Sequence, residues 1–305
     1  MSASALAGTI LTFVAIVGVG WLLRASGRLR ASDARPINAI IIYVGLPAFI
    51  VSTVHDAHLD GELALVVAVA WSVFAAVLLI AWLLSRALDL PAVVAGGFLL
   101  VATLGNTGYL GYPIVQALMG TDALPPAIFY DVFGTVGALL VVGLAIAERY
   151  SGSAERRKHP LREVLGFPAV IALAVGLATR GIAIPSAVSN GLDLLASLTV
   201  PLILISVGLS LRMGAVRRWA VPLAVVAVLR LVVAPLLAYA IGSVVLTGDA
   251  RELALVTLQA GMPAMMLTLV VGARFELDTD FIASAIFVTT ALSALSIPLV
   301  SLLSF

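Results

Sequence analysis

The chain has 305 residues, of which 62% are hydrophobic and 11% are charged, and its mean hydropathy is +1.17. A soluble domain is nearer half apolar and a quarter charged, so this composition excludes a soluble protein and indicates an integral membrane protein. The net charge of +1 indicates neither nucleic acid nor an acidic surface as a partner. Cysteine is absent, which excludes a disulfide or a thiolate site.

Apolar runs of roughly 17 to 28 residues recur between charged clusters, and each can cross a hydrocarbon core of about 30 Å. They predict ten transmembrane helices in an all-α protein embedded in the lipid bilayer. No charged segment precedes the first run, so we expect it to be retained as a span. The predicted spans are 5–23, 37–54, 62–84, 92–119, 125–147, 164–180, 187–211, 219–246, 252–273 and 281–304.

The distribution of basic residues predicts the orientation of these spans. One side of the membrane would carry fourteen of the 17 Lys and Arg residues, and the other side would carry only Arg180 and Arg251. We therefore expect both termini to be extracytoplasmic and the loop 148–163 to be cytoplasmic. The expected location is the cytoplasmic (inner) membrane.

That basic loop, ERYSGSAERRKHPLRE, divides the chain into two halves, 1–147 and 164–305, with five predicted spans each. Because five is odd, the second half enters the membrane in the opposite sense to the first. With an offset of about 154 residues, LPAFIVS at 46–52 aligns with VPLILIS at 200–206. The sequence therefore predicts two inverted five-helix repeats, an arrangement found in alternating-access carriers.

The fourth span is interrupted by small and polar residues. The stretch Phe98–Gly120 reads FLLVATLGNTGYLGYPIVQALMG, and the same offset places its Gly105 and Asn106 on Ala260 and Gly261 in the ninth span. A helix break within the membrane persists only where it is buried in protein or lines a cavity. A glycine-packed helix contact with a proline kink is the alternative interpretation. We favour crossed broken helices that form a binding site near the midplane.

Helix ends at such breaks carry partial charges that can hold an anionic group without a fixed cation. Side-chain amides, hydroxyls and aromatic rings around the breaks can contribute contacts of their own, although each side chain taken singly can equally serve interhelical packing. The candidate substrate-binding residues are Gly105, Asn106, Thr107, Gly108, Tyr109, Tyr112, Pro113, Gln259, Gly261, Met262 and Pro263.

Two ionisable residues, Asp131 and Arg230, lie inside predicted spans. A charge near the bilayer centre is costly, so each should face a partner or a cavity. Their predicted depths allow a structural salt bridge between them. The functional alternatives are a proton-coupling carboxylate at Asp131 and a counter-charge for an anionic substrate at Arg230. Acidic residues are otherwise scarce near the two breaks in the sequence, which argues against a Na⁺ site there.

An enzyme is not expected, because the chain has neither HExxH nor GxSxG and has no Cys. The run HDAHLDGE at 55–62 places His and carboxylate residues in one short loop. Such loops are usually solvated, so neither a metal site nor a cofactor is predicted.

Three motifs resemble the auxin efflux carrier family, which includes plant PIN auxin carriers and bacterial malonate-type permeases. They are ATLGNTGYLGYPIVQALMG in the fourth span, RLVVAPLLAYA at 230–240 and LQAGMPAMMLTLVVGARFELD at 258–278. The resemblance implies a sodium/proton antiporter-like and bile-acid-symporter-like fold. Spans 1, 2, 6 and 7 would form a dimeric scaffold, and spans 3–5 and 8–10 a transport domain that moves as an elevator. It also implies that Asn106 lies near the substrate carboxylate. Plant members have proline where this chain has Gly105.

The sequence therefore predicts a secondary transporter of a small organic anion, such as an auxin-like acid or a dicarboxylate. A proton- or sodium-coupled symporter of organic acids is the nearest alternative. A channel and a membrane-embedded ligand sensor that signals through the loop 148–163 are alternatives from other classes, although that loop is too short for a signalling domain.

Overall fold

A computed structural model describes residues 3–57, 63–151, 166–210 and 216–304. These residues are helical apart from connections, and the one isolated β-bridge among them pairs Gly105 with Ala264. The helices are α1 (Ala3–Ala25), α2 (Ala34–His55), α3 (Leu63–Ala87), α4 (Ala92–Thr103), α5 (Tyr112–Met119), α6 (Thr121–Tyr150), α7 (Pro168–Ala178), α8 (Ser186–Ser210), α9 (Ala220–Val245), α10 (Ala250–Ala260), α11 (Leu267–Arg274) and α12 (Thr279–Ser304).

Six of the described helices, α2, α3, α6, α8, α9 and α12, are long and apolar enough to cross a membrane. Shorter apolar helical stretches occur at Ala15–Ala25, Ala92–Thr103 and Pro168–Ala178. The protein is therefore a multi-pass membrane protein, as its composition predicts. The predicted spans 92–119 and 252–273 are each divided into two short helices, α4 with α5 and α10 with α11.

Several long helices contain π-helical segments, in which an extra residue widens one turn. Such segments occur often at functional sites. One of them, Tyr130–Val136 in α6, contains Asp131, and another, Leu229–Val233 in α9, contains Arg230. Both ionisable residues that the sequence singled out therefore lie on locally widened helix turns.

The contacts divide the chain into two units. The first unit comprises residues 3–57, 112–128 and 166–210. Within it, α1 and α8 approach so closely that a Cβ at Gly20 would overlap the carbonyl of Ile205, and one at Gly208 would overlap the carbonyl of Val17. Small residues permit this backbone contact, which is a common means of packing helices in membranes.

The second unit comprises residues 63–111, 129–151 and 216–304 and contains both helix breaks. Every residue of α4 from Val94 to Thr103 is buried. In α12, the residues from Phe281 to Ile286 are buried as well, with Phe281 and Ile282 fully enclosed. The breaks therefore lie in a densely packed helical core.

Two segments considered above fall outside the described residues in whole or in part. They are residues 58–62 of HDAHLDGE and residues 152–163 of the predicted basic loop.

Candidate functional site

The two helix breaks lie side by side in the second unit. After α4 ends at Thr103, the chain is extended at Leu104, and after α10 ends at Ala260, it turns at Gly261. Gly105 and Ala264 then form an antiparallel bridge between the two segments. The N–H of Asn106 donates to the carbonyl of Pro263 at 2.7 Å, and the N–H of Met265 donates to the carbonyl of Leu104 at 2.9 Å. Each break thus provides partners for main-chain groups that the other break removes from its helix, as a lipid environment requires.

Glycine at position 105 permits the closest approach in this arrangement. A Cβ at Gly105 would overlap Nη2 of Arg230. Across the pair, Ala264 donates its N–H to Oγ1 of Thr289 at 3.1 Å. The residues that predict the breaks from the sequence lie just after the helix ends. Gly105 and Asn106 follow the end of α4, and Pro263 follows the end of α10.

Arg230 binds the carbonyl ends of both broken helices. Its Nη1 donates to Thr103 at 3.1 Å, its Nη2 donates to Ala260 and Met262 at 2.8 Å each, and its Nε donates to Met262 at 3.2 Å. Helix C-termini expose carbonyl groups with partial negative charge, which a cation stabilises. The partners of Arg230 are therefore main-chain carbonyls rather than the carboxylate of Asp131 that the sequence suggested.

Asp131, which belongs to α6, lies beside the helical turn Thr107–Gly111 that follows the first break. Oγ1 of Thr107 donates to Oδ1 of Asp131 at 2.5 Å. A Cβ on Gly108 would lie 2.8 Å from Oδ2, so the carboxylate also lies close to the main chain there. Only 5% of Asp131 is exposed. Folding brings Asp131 beside the first break from 24 residues away in the sequence.

Two polar groups near the first break are buried without a hydrogen-bond partner among the described residues. They are Nδ2 of Asn106 and Oη of Tyr109, in side chains that are 3% and 5% exposed. Buried polar groups nearly always have partners, so such exceptions need an explanation. The amide nitrogen of Asn106 offers two N–H donors, and it can therefore bind an acceptor such as a carboxylate oxygen.

A small polar cavity of about 20 Å³ lies beside the breaks. Its polar lining includes Thr107, Tyr130, Thr135, Arg230 and Gln259. Such a volume holds about one water molecule and is too small for an organic acid. The second unit is therefore closed around its own polar groups in this conformation.

A much larger cavity of about 870 Å³ lies in the first unit. Phe49 forms part of its wall, and the ring of Phe49 stacks on that of Tyr112 with 5.5 Å between centroids. Three carboxylates, Asp56, Asp122 and Asp193, line the cavity, and no Lys, Arg or His is among its described lining residues. The volume is typical of a small-molecule site, but the lining charge is negative.

The predicted substrate-binding residues therefore fall into two places. The first unit holds Tyr112, which stacks on Phe49, and Pro113, which lines the large cavity. No sequence pattern indicates that cavity, because its lining residues come from distant segments with no shared motif. The second unit holds the other predicted substrate-binding residues, Gly105, Asn106, Thr107, Gly108, Tyr109, Gln259, Gly261, Met262 and Pro263, and also the two predicted charge or coupling residues, Asp131 and Arg230.

Comparison with known proteins identifies a family of membrane transporters. A family model described as membrane transport protein matches residues 6–301. The chain belongs to the membrane transport protein family. This match confirms the resemblance to the auxin efflux carriers that the sequence motifs indicated.

Two relatives of this membrane transport protein come from archaea. An uncharacterized transporter of Methanothermobacter thermautotrophicus is 31% identical over 294 residues, covering 95% of this chain and 96% of the relative. An uncharacterized transporter of Methanocaldococcus jannaschii is 33% identical over 303 residues, with the same coverage of 95% and 96%. The similarity spans nearly the whole of each protein, so it includes both breaks.

Proposed function

We propose that this membrane transport protein is a secondary transporter that moves a small organic anion across the cytoplasmic membrane. The observation that carries the proposal is the buried, unpartnered amide nitrogen of Asn106, next to the two segments that interrupt helices. A donor left unsatisfied in the protein interior is unfavourable unless a ligand supplies the acceptor. A carboxylate oxygen is such an acceptor, and it benefits from a charge-assisted hydrogen bond.

In the conformation described here, the cavity beside the breaks is too small for the proposed substrate, which supports an alternating-access cycle in which the site opens at another stage. The cavity beside the breaks holds about 20 Å³, whereas a drug-sized ligand needs roughly 300 Å³ or more. Substrate binding at Asn106 therefore requires the segments around the breaks to move. The motion we propose is an elevator displacement of the mobile helices against a static scaffold.

The proposed architecture has ten spans in two inverted repeats, with the division between repeats at the basic loop 148–163. Spans 1, 2, 6 and 7 form the scaffold and mediate a homodimer, while spans 3–5 and 8–10 carry the substrate. The contact units support this division, because α1, α2, α7 and α8 share one unit and α3, α4 and α9–α12 share the other. Residues 112–128 make their contacts in the first unit. In the proposed orientation both termini are extracytoplasmic.

A test of the proposal is counterflow in proteoliposomes. Vesicles loaded with unlabelled malonate or indole-3-acetate are diluted into the labelled acid, and protein-free vesicles provide the background. A carrier predicts a transient, saturable accumulation of label with no ion gradient present. A channel predicts equilibration without overshoot, and a sensor predicts binding without flux. Absence of overshoot with both acids would contradict transport of these two chemical classes.

A further inference from the structure

The segment that connects α1 to α2 carries the densest cluster of arginines among the described residues. Within twelve residues, 24–35, it holds four of them, Arg24, Arg28, Arg30 and Arg35. The last three are exposed. Because this basic connection joins two apolar helices, its charges lie beyond the hydrocarbon, at the level of the lipid headgroups. It therefore presents a positive surface to one leaflet of the bilayer.

The charge of the basic connection is not neutralised by carboxylates of the protein. Among the described residues, none lies within salt-bridge distance of Arg28, Arg30 or Arg35. The one carboxylate of the segment, Asp33, accepts the main-chain N–H of Arg30 at 2.8 Å and the hydroxyl of Ser32 at 3.3 Å. Asp33 thus closes the turn before α2, and the three exposed guanidinium groups are available to an anion from outside the protein.

Arg24 has a structural contact of its own. Its Nη1 donates to the carbonyl of Leu209 at 3.2 Å, in the last turn of α8. A cation at a helix C-terminus stabilises the carbonyl groups exposed there. Arg24 therefore joins α1 to α8, and the exposed arginines that follow it are the ones to consider as ligands of an anion.

Two main-chain turns order the basic connection. The N–H of Leu29 donates to the carbonyl of Leu23 at 3.1 Å, so the chain folds back on the last turn of α1. Gly27 makes this possible, because its φ of 72° lies in the left-handed region. The N–H of Asp33 donates to the carbonyl of Arg30 at 3.0 Å. An ordered backbone loses less conformational entropy when a ligand binds to its side chains.

Apolar side chains border the arginines on the membrane side. Trp21 and Leu22, one turn before the end of α1, are 50% and 57% exposed. Trp is enriched where a helix passes from hydrocarbon to headgroups. A ligand that fits this surface has an anionic group for the guanidinium groups and apolar chains that lie beside Trp21 and Leu22.

We propose that the basic connection binds the headgroup of an anionic phospholipid. Guanidinium groups match the geometry of phosphate oxygens and can donate two parallel hydrogen bonds to them. The acyl chains of the lipid lie along the exposed face of α1, next to Trp21. A zwitterionic lipid has the same phosphate, but its ammonium group offsets the attraction. This inference does not depend on the transported substrate.

The experiment measures lipid binding to the purified protein in a non-ionic detergent. Phosphatidylglycerol and phosphatidylcholine with the same acyl chains are added in turn, native mass spectrometry counts the bound lipids, and thermal unfolding gives the Tm. We expect phosphatidylglycerol to bind at least about tenfold more tightly, since each arginine near an anionic lipid contributes about fivefold in affinity. It should also raise the Tm, because a ligand of the folded state stabilises that state.

The test variant is the triple change Arg28→Gln/Arg30→Gln/Arg35→Gln. It should bind phosphatidylglycerol and phosphatidylcholine about equally, and phosphatidylglycerol should no longer raise its Tm. Arg24 is left unchanged, because its contact with Leu209 supports the packing of α1 on α8.

The matched control removes the same charge from scattered positions. It combines Arg86→Gln, Arg149→Gln and Arg217→Gln, which replace exposed arginines near the ends of three other helices. This control should keep the preference for phosphatidylglycerol. An equal loss in both triple variants would show a general effect of net charge and would overturn the site.

Glycerol phosphate, which has the phosphate without acyl chains, distinguishes a lipid from a free phosphate ester. If it raises the Tm as much as phosphatidylglycerol does, the assignment to a lipid is wrong. Equal binding of both lipids by wild type would overturn the proposal outright. Should the test variant fail to fold, wild type decides the question, because its preference for phosphatidylglycerol should fall as salt is raised from about 0.05 to 0.5 M. A preference that ignores salt would contradict binding through the arginines.

Discussion

Nη1 of Arg230 donates to the carbonyl of Thr103 at 3.1 Å, across 127 residues of sequence, and Nη2 of the same side chain donates to Ala260 at 2.8 Å. These are the final residues of α4 and α10, so one guanidinium joins the carbonyl ends of both interrupted helices. It replaces hydrogen bonds that the helices cannot make for themselves in a membrane interior. The stability of the broken-helix pair therefore depends on this side chain.

Replacing Arg230 by Met should destabilise the protein strongly. The substitution removes four hydrogen bonds and leaves the carbonyls of Thr103, Ala260 and Met262 without that partner. Each orphaned group costs roughly 1–3 kcal/mol, so the total should be at least about 3 kcal/mol. Thermal unfolding in detergent, followed by fluorescence-detected size exclusion, would show a large fall in Tm.

Two further variants distinguish a specific role from loss of any positive charge. Arg230→Lys keeps a cation but has three donors on one atom in place of a planar fork, and it should be intermediate in Tm. Arg217→Met removes an exposed arginine and should change Tm little. If Arg230→Met unfolds at the same temperature as Arg217→Met, the role assigned to Arg230 is wrong.

Gly105→Ala should also lower stability, for a steric reason. The added Cβ would overlap Nη2 of Arg230, so either the guanidinium or the extended segment must shift. Overpacking of this kind typically costs about 1–3 kcal/mol. The matched control is Gly18→Ala, since a Cβ on Gly18 in α1 meets nothing within 4 Å. A Tm for Gly105→Ala equal to that of the control would argue against the close packing at the break.

The acidic lining of the large cavity in the first unit should disfavour any anion that enters this cavity. Asp56, Asp122 and Asp193 line it, and no Lys, Arg or His is among the described lining residues, although Nε2 of the adjacent His55 lies 3.7 Å from Oδ1 of Asp56. A triple change of these residues to Asn should raise the initial rate of organic-anion uptake by up to about tenfold at low ionic strength. The gain should shrink near 0.15 M salt, where the screening length is about 8 Å. An unchanged rate at low salt would show that substrate does not pass this cavity.

The sequence predicted the helix breaks more successfully than it predicted their chemistry. Gly105 and Pro263 are local signals, and each lies within a few residues of the place where a helix ends. The partners of Arg230 were not predictable, because they come from two other segments that converge only in the fold. Asp131 was recognised as a charge in a span, but its contact with Thr107 joins two helices and leaves no periodic pattern.

The same limit applies to the division of the chain. Hydropathy and the basic loop predict two sequential halves, whereas the contacts group segments from both halves in each unit. Periodicity reports which residues are apolar, and it carries no information about which helix packs against which. Close contacts such as that of Gly20 with Ile205 depend on the fold and were absent from the prediction.

Binding of the substrate carboxylate by the amide of Asn106 is the central proposal. Its most direct test compares counterflow of labelled malonate and indole-3-acetate by wild type, Asn106→Ala and Asn190→Ala, the last of which changes an exposed amide of α8. Purified variants would first be matched for Tm and elution volume. We predict that Asn106→Ala loses at least about tenfold in initial rate, as expected for loss of roughly 1.5 kcal/mol or more from one charge-assisted hydrogen bond. Counterflow by Asn106→Ala equal to that of Asn190→Ala would contradict the claim.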